Sequence, residues 1–493
     1  MKTKKIQNEN GDETKEDLYT KTVGEFGKWQ TLLFLTIALP IKLTMPWIHF
    51  GIIFLAPKTV FRCVKLNSTI ETLNSTCYSD CVEYEYYSEF ESTIISEWKL
   101  ICDRAWMANF TQSMCMFGVL VGSIVFGFIS DRYGRRPGVI SSCLLQLITS
   151  SITPFCTNYW SFVVVRFGLG ASTAGTMMSS FIFLMEIVGP AKRELLGCVY
   201  SMPLAIGYAL MALMAYYLRS WTNYSIGVAL PSIIYLTYVF YMPESPKWLI
   251  SVGRLEEASI VMTSAAKFNN IDLPSSGMLS VVETLAKKGK AEIKTQRKAT
   301  YMDLVRLPSL RIKNLCCCVV WLVIGISFYG GTQYFGQTSI NTFLSVALGG
   351  LVQIPGLPLS AYFSKRFGRR VAIIGMFVIN CICNLLLVLP DAWFYLKLVA
   401  GSIANACGAA AFSVVYVYTT ELFPTVARNM AMGASSTTTR AGSMLAPFFG
   451  ELNVLASWLP PIVFGLFPVL GIVACYFLPE TKGKQLDDHL DES

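Results

Sequence analysis

Charge is scarce in this chain. Only 15% of its 493 residues are Asp, Glu, Lys or Arg, where a soluble domain carries roughly 25%. Hydrophobic residues make up 53%. A string of water-soluble domains is excluded, although the length alone suggests about three. Histidine is nearly missing, with 2 in all, and only His49 falls in an apolar segment. Acids are missing from the middle of every apolar segment: Glu186, Glu421 and Glu451 stand at ends. The phosphate-binding pattern G-x-x-x-x-G-K followed by Ser or Thr is also missing, which disfavours an ATP-driven pump. No pattern points to an enzyme, a metal site or a cofactor. The net charge of +8 does not imply nucleic acid, because its location matters more than its size. Residues 1–28 are polar and mixed in charge, unlike a secretory signal.

Long apolar runs are what the chain has in plenty. Twelve are expected, roughly at Trp29–Ala56, Met107–Ser130, Gly138–Thr157, Trp160–Met185, Leu195–Leu218, Tyr224–Met242, Asn314–Gly330, Gln337–Phe363, Val371–Pro390, Ala392–Thr419, Ala431–Glu451 and Ala456–Pro479. About 20 apolar residues suffice to cross a bilayer. With the N-terminus inside, 30 of the 40 basic residues fall in inner segments and 6 outside, so the positive-inside rule puts both termini in the cytoplasm. The first outer loop, 57–106, carries the sequons at Asn67 and Asn74, and Cys63, Cys77, Cys81 and Cys102. Four Cys in an oxidising compartment predict two disulfides, with three connectivities open.

The chain repeats itself. Ser130-Asp-Arg-Tyr-Gly-Arg-Arg136 matches Ser364-Lys-Arg-Phe-Gly-Arg-Arg370. Glu186, Arg193 and Pro243-Glu244 match Glu421, Arg428 and Pro479-Glu480 at a near-constant offset. The expected fold is therefore an all-α membrane protein with two parallel repeats of six helices. Its parts are a tail (1–28), a first half (29–242), a basic linker with short helices (243–313), a second half (314–479) and a tail (480–493). Parallel repeats around a midplane site are one secondary-transporter architecture.

Gly127-x-x-Ser-Asp131-Arg-Tyr-Gly-Arg-Arg-Pro137 resembles the loop signature of the major facilitator superfamily. Glu97-Trp-Lys-Leu-Ile-Cys-Asp-Arg-Ala-Trp106, Pro243-Glu-Ser-Pro-Lys-Trp-Leu249 and Tyr418-Thr-Thr-Glu-Leu-Phe-Pro-Thr-Val-Ala-Arg-Asn429, with the cysteine loop, narrow the resemblance to the organic cation, anion and carnitine transporters. The resemblance covers nearly the whole chain. It implies rocking of two halves around a central cavity lined by spans one, four, seven and ten. The acids Asp131, Glu186 and Glu421 beside Arg132, Arg136, Arg193, Arg366, Arg370 and Arg428 are then expected to close a cytoplasmic gate across the seam, with Glu244 and Glu480 as further members. Lys365 stands where Asp131 stands in the first half, so the network should be asymmetric.

Four charges lie inside spans: Lys42, Arg166, Lys397 and Arg440. Each costs at least ~2.5–3.5 kcal/mol at the bilayer centre. Arg166 and Lys397 lie near the outer face, where a structural role is as reasonable as a functional one. Lys42 and Arg440 are near mid-depth and are the main substrate candidates. Cations without an acid favour a carboxylate or sulfate group. Within the family, an Arg at the position of Arg440 resembles the anion and carnitine transporters, whereas many cation transporters have an acid there. Gln353, where cation and carnitine members often have Glu, points the same way, whereas Asn405, where most members have Lys or Arg, cuts against a plain anion transporter. Trp47, Tyr208, Trp321, Phe328, Tyr329, Tyr334 and Phe335 are aromatic candidates for stacking or cation–π contact. His49 is read as a packed residue before a proton carrier. The expected function is plasma-membrane transport of small organic ions, anions or carnitine-like zwitterions before cations, with a coupling ion or exchange substrate as a further partner. The rival of another class is a non-transporting solute sensor or scaffold, whose mark would be a degraded gate motif.

Overall fold

A computed structural model describes residues 15–66, 77, 81–275, 277–295, 302–339 and 341–483. A backbone in lipid must satisfy its own hydrogen bonds, so a spanning chain of this kind is helical. Span 1 runs Lys28–Leu55, with a π-helical stretch at Phe34–Ala38. Spans 2 to 6 are Trp106–Tyr133, Arg135–Ile152, Tyr159–Ile187, Pro190–Tyr217 and Trp221–Tyr241. Span 7 comprises Pro308–Ile324, a π-helical stretch Gly325–Gly330, and Gly331–Thr338. Spans 8 to 12 are Thr342–Phe367, Arg369–Leu386, Phe394–Leu422, Thr425–Glu451 and Leu459–Phe477. Eleven are long and apolar enough to cross a membrane. Span 11 has the length, 27 residues, but carries the polar run Ser435-Ser-Thr-Thr-Thr-Arg440.

Span 7 departs from its expected end at Gly330. A wider π turn over Gly325–Gly330 leads directly into a further α-helical stretch, Gly331–Thr338. A second departure is a two-stranded sheet in the loop before span 2. Strands Val60–Leu66 and Cys81–Tyr87 pair antiparallel, Phe61 opposite Tyr86 and Cys63 opposite Tyr84. Disulfides Cys63–Cys81 and Cys77–Cys102 tie the hairpin to itself and to the start of span 2. The sequons at Asn67 and Asn74 lie outside the described residues. This loop marks the hairpin end of the bundle, and the linker marks the other.

The linker forms helices Pro246–Val252, Leu255–Phe268, Met278–Thr295 and Asp303–Arg306. Most of it packs beneath the first half. Met262, Ala265, Met278, Val282 and Leu285 share one buried cluster with Tyr19 and Val23 of an N-terminal helix, Lys15–Val23, and with Leu33 and Ile37 of span 1. Asn269 fastens this assembly. Its Oδ1 accepts from the Trp29 backbone N–H at 2.8 Å, and its Nδ2 donates to the Val23 carbonyl at 2.7 Å and to Gln30 Oε1 at 2.8 Å.

The two halves meet along a seam where span 2 faces span 11 and span 5 faces span 8. Small residues allow this approach. A Cβ on Gly350 would lie 2.6 Å from the Ala209 backbone nitrogen. Bonds across the seam cluster toward the hairpin end. Ser113 donates to the Met444 carbonyl at 2.7 Å, Gln337 donates to the Ala56 carbonyl at 2.8 Å, and Phe54 stacks on Phe343.

Candidate functional site

Three spans, 1, 4 and 11, bring a cation or an imidazole toward the seam. Lys42 of span 1 is buried, its Nζ 4.5 Å from the centre of the Tyr200 ring. Arg166 of span 4 is 2% exposed and donates to the Ile48 carbonyl and to Gln112 Oε1, both at 3.2 Å. Arg440 of span 11 donates to the Ser436 carbonyl at 2.9 Å and to the Ser436 hydroxyl. His49 of span 1 feels all three charges and sits 6.1 Å from the Tyr329 ring of span 7. None of the three cations pairs with a carboxylate among the described residues.

Several polar atoms here are buried without a hydrogen-bond partner: both ring nitrogens of His49, Arg166 Nε, Gln353 Oε1, Asn405 Nδ2 and Arg440 Nε. An unmade bond of this kind costs about 1–3 kcal/mol. Carried by spans 1, 4, 8, 10 and 11, these atoms form a candidate site for a polar ligand. On the hairpin side an aromatic plug closes it. Phe50 stacks on Tyr329 with ring centres 5.6 Å apart and meets Tyr208 and Phe328 edge-on at 5.2 and 5.7 Å.

The remaining aromatic candidates are turned elsewhere. Trp321 is fully buried inside the second half, its Nε1–H on Thr419 at 2.9 Å and its ring against Tyr416. Tyr334 donates to the Ser457 carbonyl at 3.4 Å and packs on Phe464. Trp47 donates to the Gly207 carbonyl, and Phe335 packs with Leu387 and Leu398. Lys397 makes an ion pair with Asp391 at 2.7 Å.

At the linker end each half carries a latch. Span 2 ends at Gly134, whose φ of +118° suits glycine and whose Cβ would strike the Glu244 carboxylate. Arg135 then reaches Asp131 at 2.6 Å and Glu186 at 2.8 Å. Glu244 accepts from the Arg135 and Arg136 backbone N–H groups at 2.8 and 3.2 Å. Burial pushes its carboxyl above the usual range even against these donors. In the second half Gly368, φ +106°, lies against Glu480 in the same way. Arg369 bonds Glu421 at 2.9 Å, and Glu480 accepts from the Arg369 and Arg370 N–H groups at 2.8 and 3.1 Å.

These pairs lie within each half, not across the seam as expected from the motif. The acids are met instead by Arg135 and Arg369, which belong to the same repeated loop as the expected arginines. Arg132 and Arg366 are exposed, and Arg136 donates to the Val239 carbonyl. Arg370 lies over the Tyr476 ring, and Arg193 donates to the Val188 carbonyl. Arg428 keeps Nε and one terminal nitrogen buried with no bond among the described residues.

The comparisons with known proteins agree with this architecture. A model of the family described as sugar (and other) transporter matches residues 27–490. The chain is 29% identical to an organic cation transporter protein of Drosophila melanogaster, across 95% of this chain and 93% of that one. It is 32% identical to the human organic cation/carnitine transporter 2, across 81% and 72%. It is 30% identical to organic cation/carnitine transporter 4 of Arabidopsis thaliana, across 96% and 90%. Among solved structures, the xylose transporter XylE from E. coli in a partially occluded inward-open conformation superposes with a TM-score of 0.64 at 16% identity, covering 95% of this chain and 99% of that one. At that identity the likeness establishes the major facilitator fold alone.

Proposed function

The chain belongs to the sugar (and other) transporter family of the major facilitator superfamily, among its organic cation, anion and carnitine transporters, and from that premise we propose that it carries small organic ions bearing a carboxylate. Anions and carnitine-like zwitterions are favoured over plain cations. The observation that carries this reading is the set Lys42, Arg166 and Arg440 at one seam with no carboxylate partner among the described residues. A bound carboxylate relieves the uncompensated charge, and the Arg440 guanidinium offers it a planar fork. The Phe50, Tyr208, Phe328 and Tyr329 rings next to that site suit the quaternary ammonium end of a zwitterion. The same rings support the second reading, an organic cation substrate, which agrees with the names of the relatives.

Transport proceeds by alternating access. The aromatic plug and the bonds of spans 2 and 11 close the hairpin end, and rocking of the halves must part them to admit substrate there. We assign the hairpin end to the outside of the plasma membrane and the linker end with both termini to the cytoplasm, on the distribution of Lys and Arg. The test is uptake by expressing cells of one labelled cation, one anion and one zwitterion, normalised to surface protein. Uptake of the anion or the zwitterion above that of mock cells supports the reading. Uptake of the cation alone overturns it.

A further inference from the structure

We propose that a small cavity between spans 7, 9 and 10 of the second half binds a monovalent cation, of which sodium fits best. The cavity has room for roughly one water-sized occupant and is lined by Ser327, Thr332, Asn380, Asn384 and Asn405. All five are less than a tenth exposed. Three asparagines so close together inside a membrane bundle need a reason.

The hydrogen bonds show which atoms remain for an occupant. Asn380 Nδ2 donates to the Ala404 carbonyl at 2.7 Å, Asn384 Nδ2 donates to Asn380 at 2.9–3.0 Å, and the Thr332 hydroxyl donates to Asn405 Oδ1 at 2.8 Å. Three donors are thus spent on the protein. Lone pairs on the side-chain oxygens of Asn380, Asn384, Asn405 and Thr332 are left, together with Ser327 Oγ, which is buried with no partner. Such a set suits a hard cation, which takes oxygen ligands. No carboxylate lines the cavity, so the set suits a single charge and not a divalent ion. None of these groups titrates near neutral pH, which excludes a proton carrier here. The π-helical stretch Gly325–Gly330 passes beside Gly331 and Thr332. Stretches of π-helix are frequent at functional sites.

Asn405 joins this cavity to the seam. Its Oδ1 is on the cavity side with Thr332, while its Nδ2 faces Gly349 of span 8 and the Tyr208 ring of span 5 in the other half. A cation on the oxygen side polarises the amide and strengthens the donor that faces the seam. Binding of the cation therefore favours an acceptor on the substrate or on the opposite half. The site itself does not depend on the sign of the organic substrate.

The test is thermal unfolding of the purified full chain at constant ionic strength in sodium, potassium or choline chloride, without organic substrate. The expected result is a saturable rise in melting temperature with sodium that potassium and choline do not match. Asn384→Ala and Ser327→Ala should each weaken the apparent sodium affinity at least tenfold. Ser327→Ala removes a hydroxyl with no partner and so keeps the fold, which makes the test hold even if Asn384→Ala misfolds. Equal melting in the three salts, or a sodium effect that survives Ser327→Ala, would show that the cavity holds water only and overturn the proposal. Neither outcome bears on the carboxylate preference of Arg440, which uptake measures separately.

Discussion

The two halves share one latch but are not fastened alike. In the first, Arg135 is held by two acids, Asp131 and Glu186, and the Trp248 indole of the linker donates to the Asp131 carbonyl at 3.1 Å. The N-terminal helix and linker helices cover the site from below. In the second, Arg369 meets one acid, Glu421, whose other oxygen accepts from the Thr481 hydroxyl at 2.6 Å. Lys482 caps the Arg366 carbonyl. The shared part, an arginine with a glutamate on its backbone N–H, is what the fold needs to turn sharply between two spans. The added acid and the linker give the first half more fastenings at this end. The second half, with its polar span 11 and its asparagine cavity, holds more of the adaptable chemistry.

The largest expected effect comes from cutting each latch at its arginine. Removing one partner of a partly buried ion pair costs on the order of 3 kcal/mol. Arg135→Ala strands Glu186 and loses the Asp131 bond, so it should lower the melting temperature and surface yield more than Arg369→Ala does. Equal losses would erase the difference between the halves. Gly134→Ala and Gly368→Ala should instead cost alike, since both need positive φ and both would press a methyl into a glutamate.

Next comes the seam, where the second half supplies Arg440 and the first supplies Lys42. Arg440→Ala should reduce uptake of a carboxylate substrate by about 30- to 100-fold, on the order of 2–3 kcal/mol for a charge-assisted bond. Arg440→Lys should lose less, since it keeps the charge but not the fork. Lys42→Ala should cost less than Arg440→Ala, because its ammonium already rests on Tyr200. Rates must be normalised to surface protein. Unchanged carboxylate affinity and rate in Arg440→Ala would remove this residue from the site.

How far the chain itself announced these features differs by kind. Spans, repeat and disulfide cysteines follow from runs and spacings, which are local patterns. Cys63 to Cys81 and Cys77 to Cys102 could be named as a set but not paired, because spacing allows three pairings. Depth was legible for Lys42 and Arg440 from their place along a span. Rotation was not: it is set by packing, and it turns Trp321 toward Thr419 and Tyr334 toward Ser457, away from the seam. Asn380 and Asn384 sit in an apolar run, and spacing alone announces neither the bond of Asn380 to Ala404 on another span nor that of Asn384 to Asn380 on its own. Arg135 and Arg369 were visible in the repeat, but four neighbouring arginines in the same loops hid which ones the acids would choose.

The smallest expected effect is also the sharpest probe of the latch comparison. Lys365→Asp gives the second half the acid that the first has, four residues before Arg369 as Asp131 is before Arg135. Asp131 is 74% exposed and its bond to Arg135 is 2.6 Å. An exposed pair at this helical spacing is worth about 0.3–0.5 kcal/mol. The new pair is offset by the interaction that Lys365 itself makes, so a change of no more than about 0.5 kcal/mol in stability is expected, or roughly 1–2 °C in melting temperature. The reverse change, Asp131→Lys, should lose at least as much. Because the latch closes within one half, uptake by Lys365→Asp should change less than twofold. A several-fold loss of uptake with unchanged melting would mean that position 365 works across the seam in the other state of the cycle. The asymmetry between the halves would then belong to gating and not to the stability of either half.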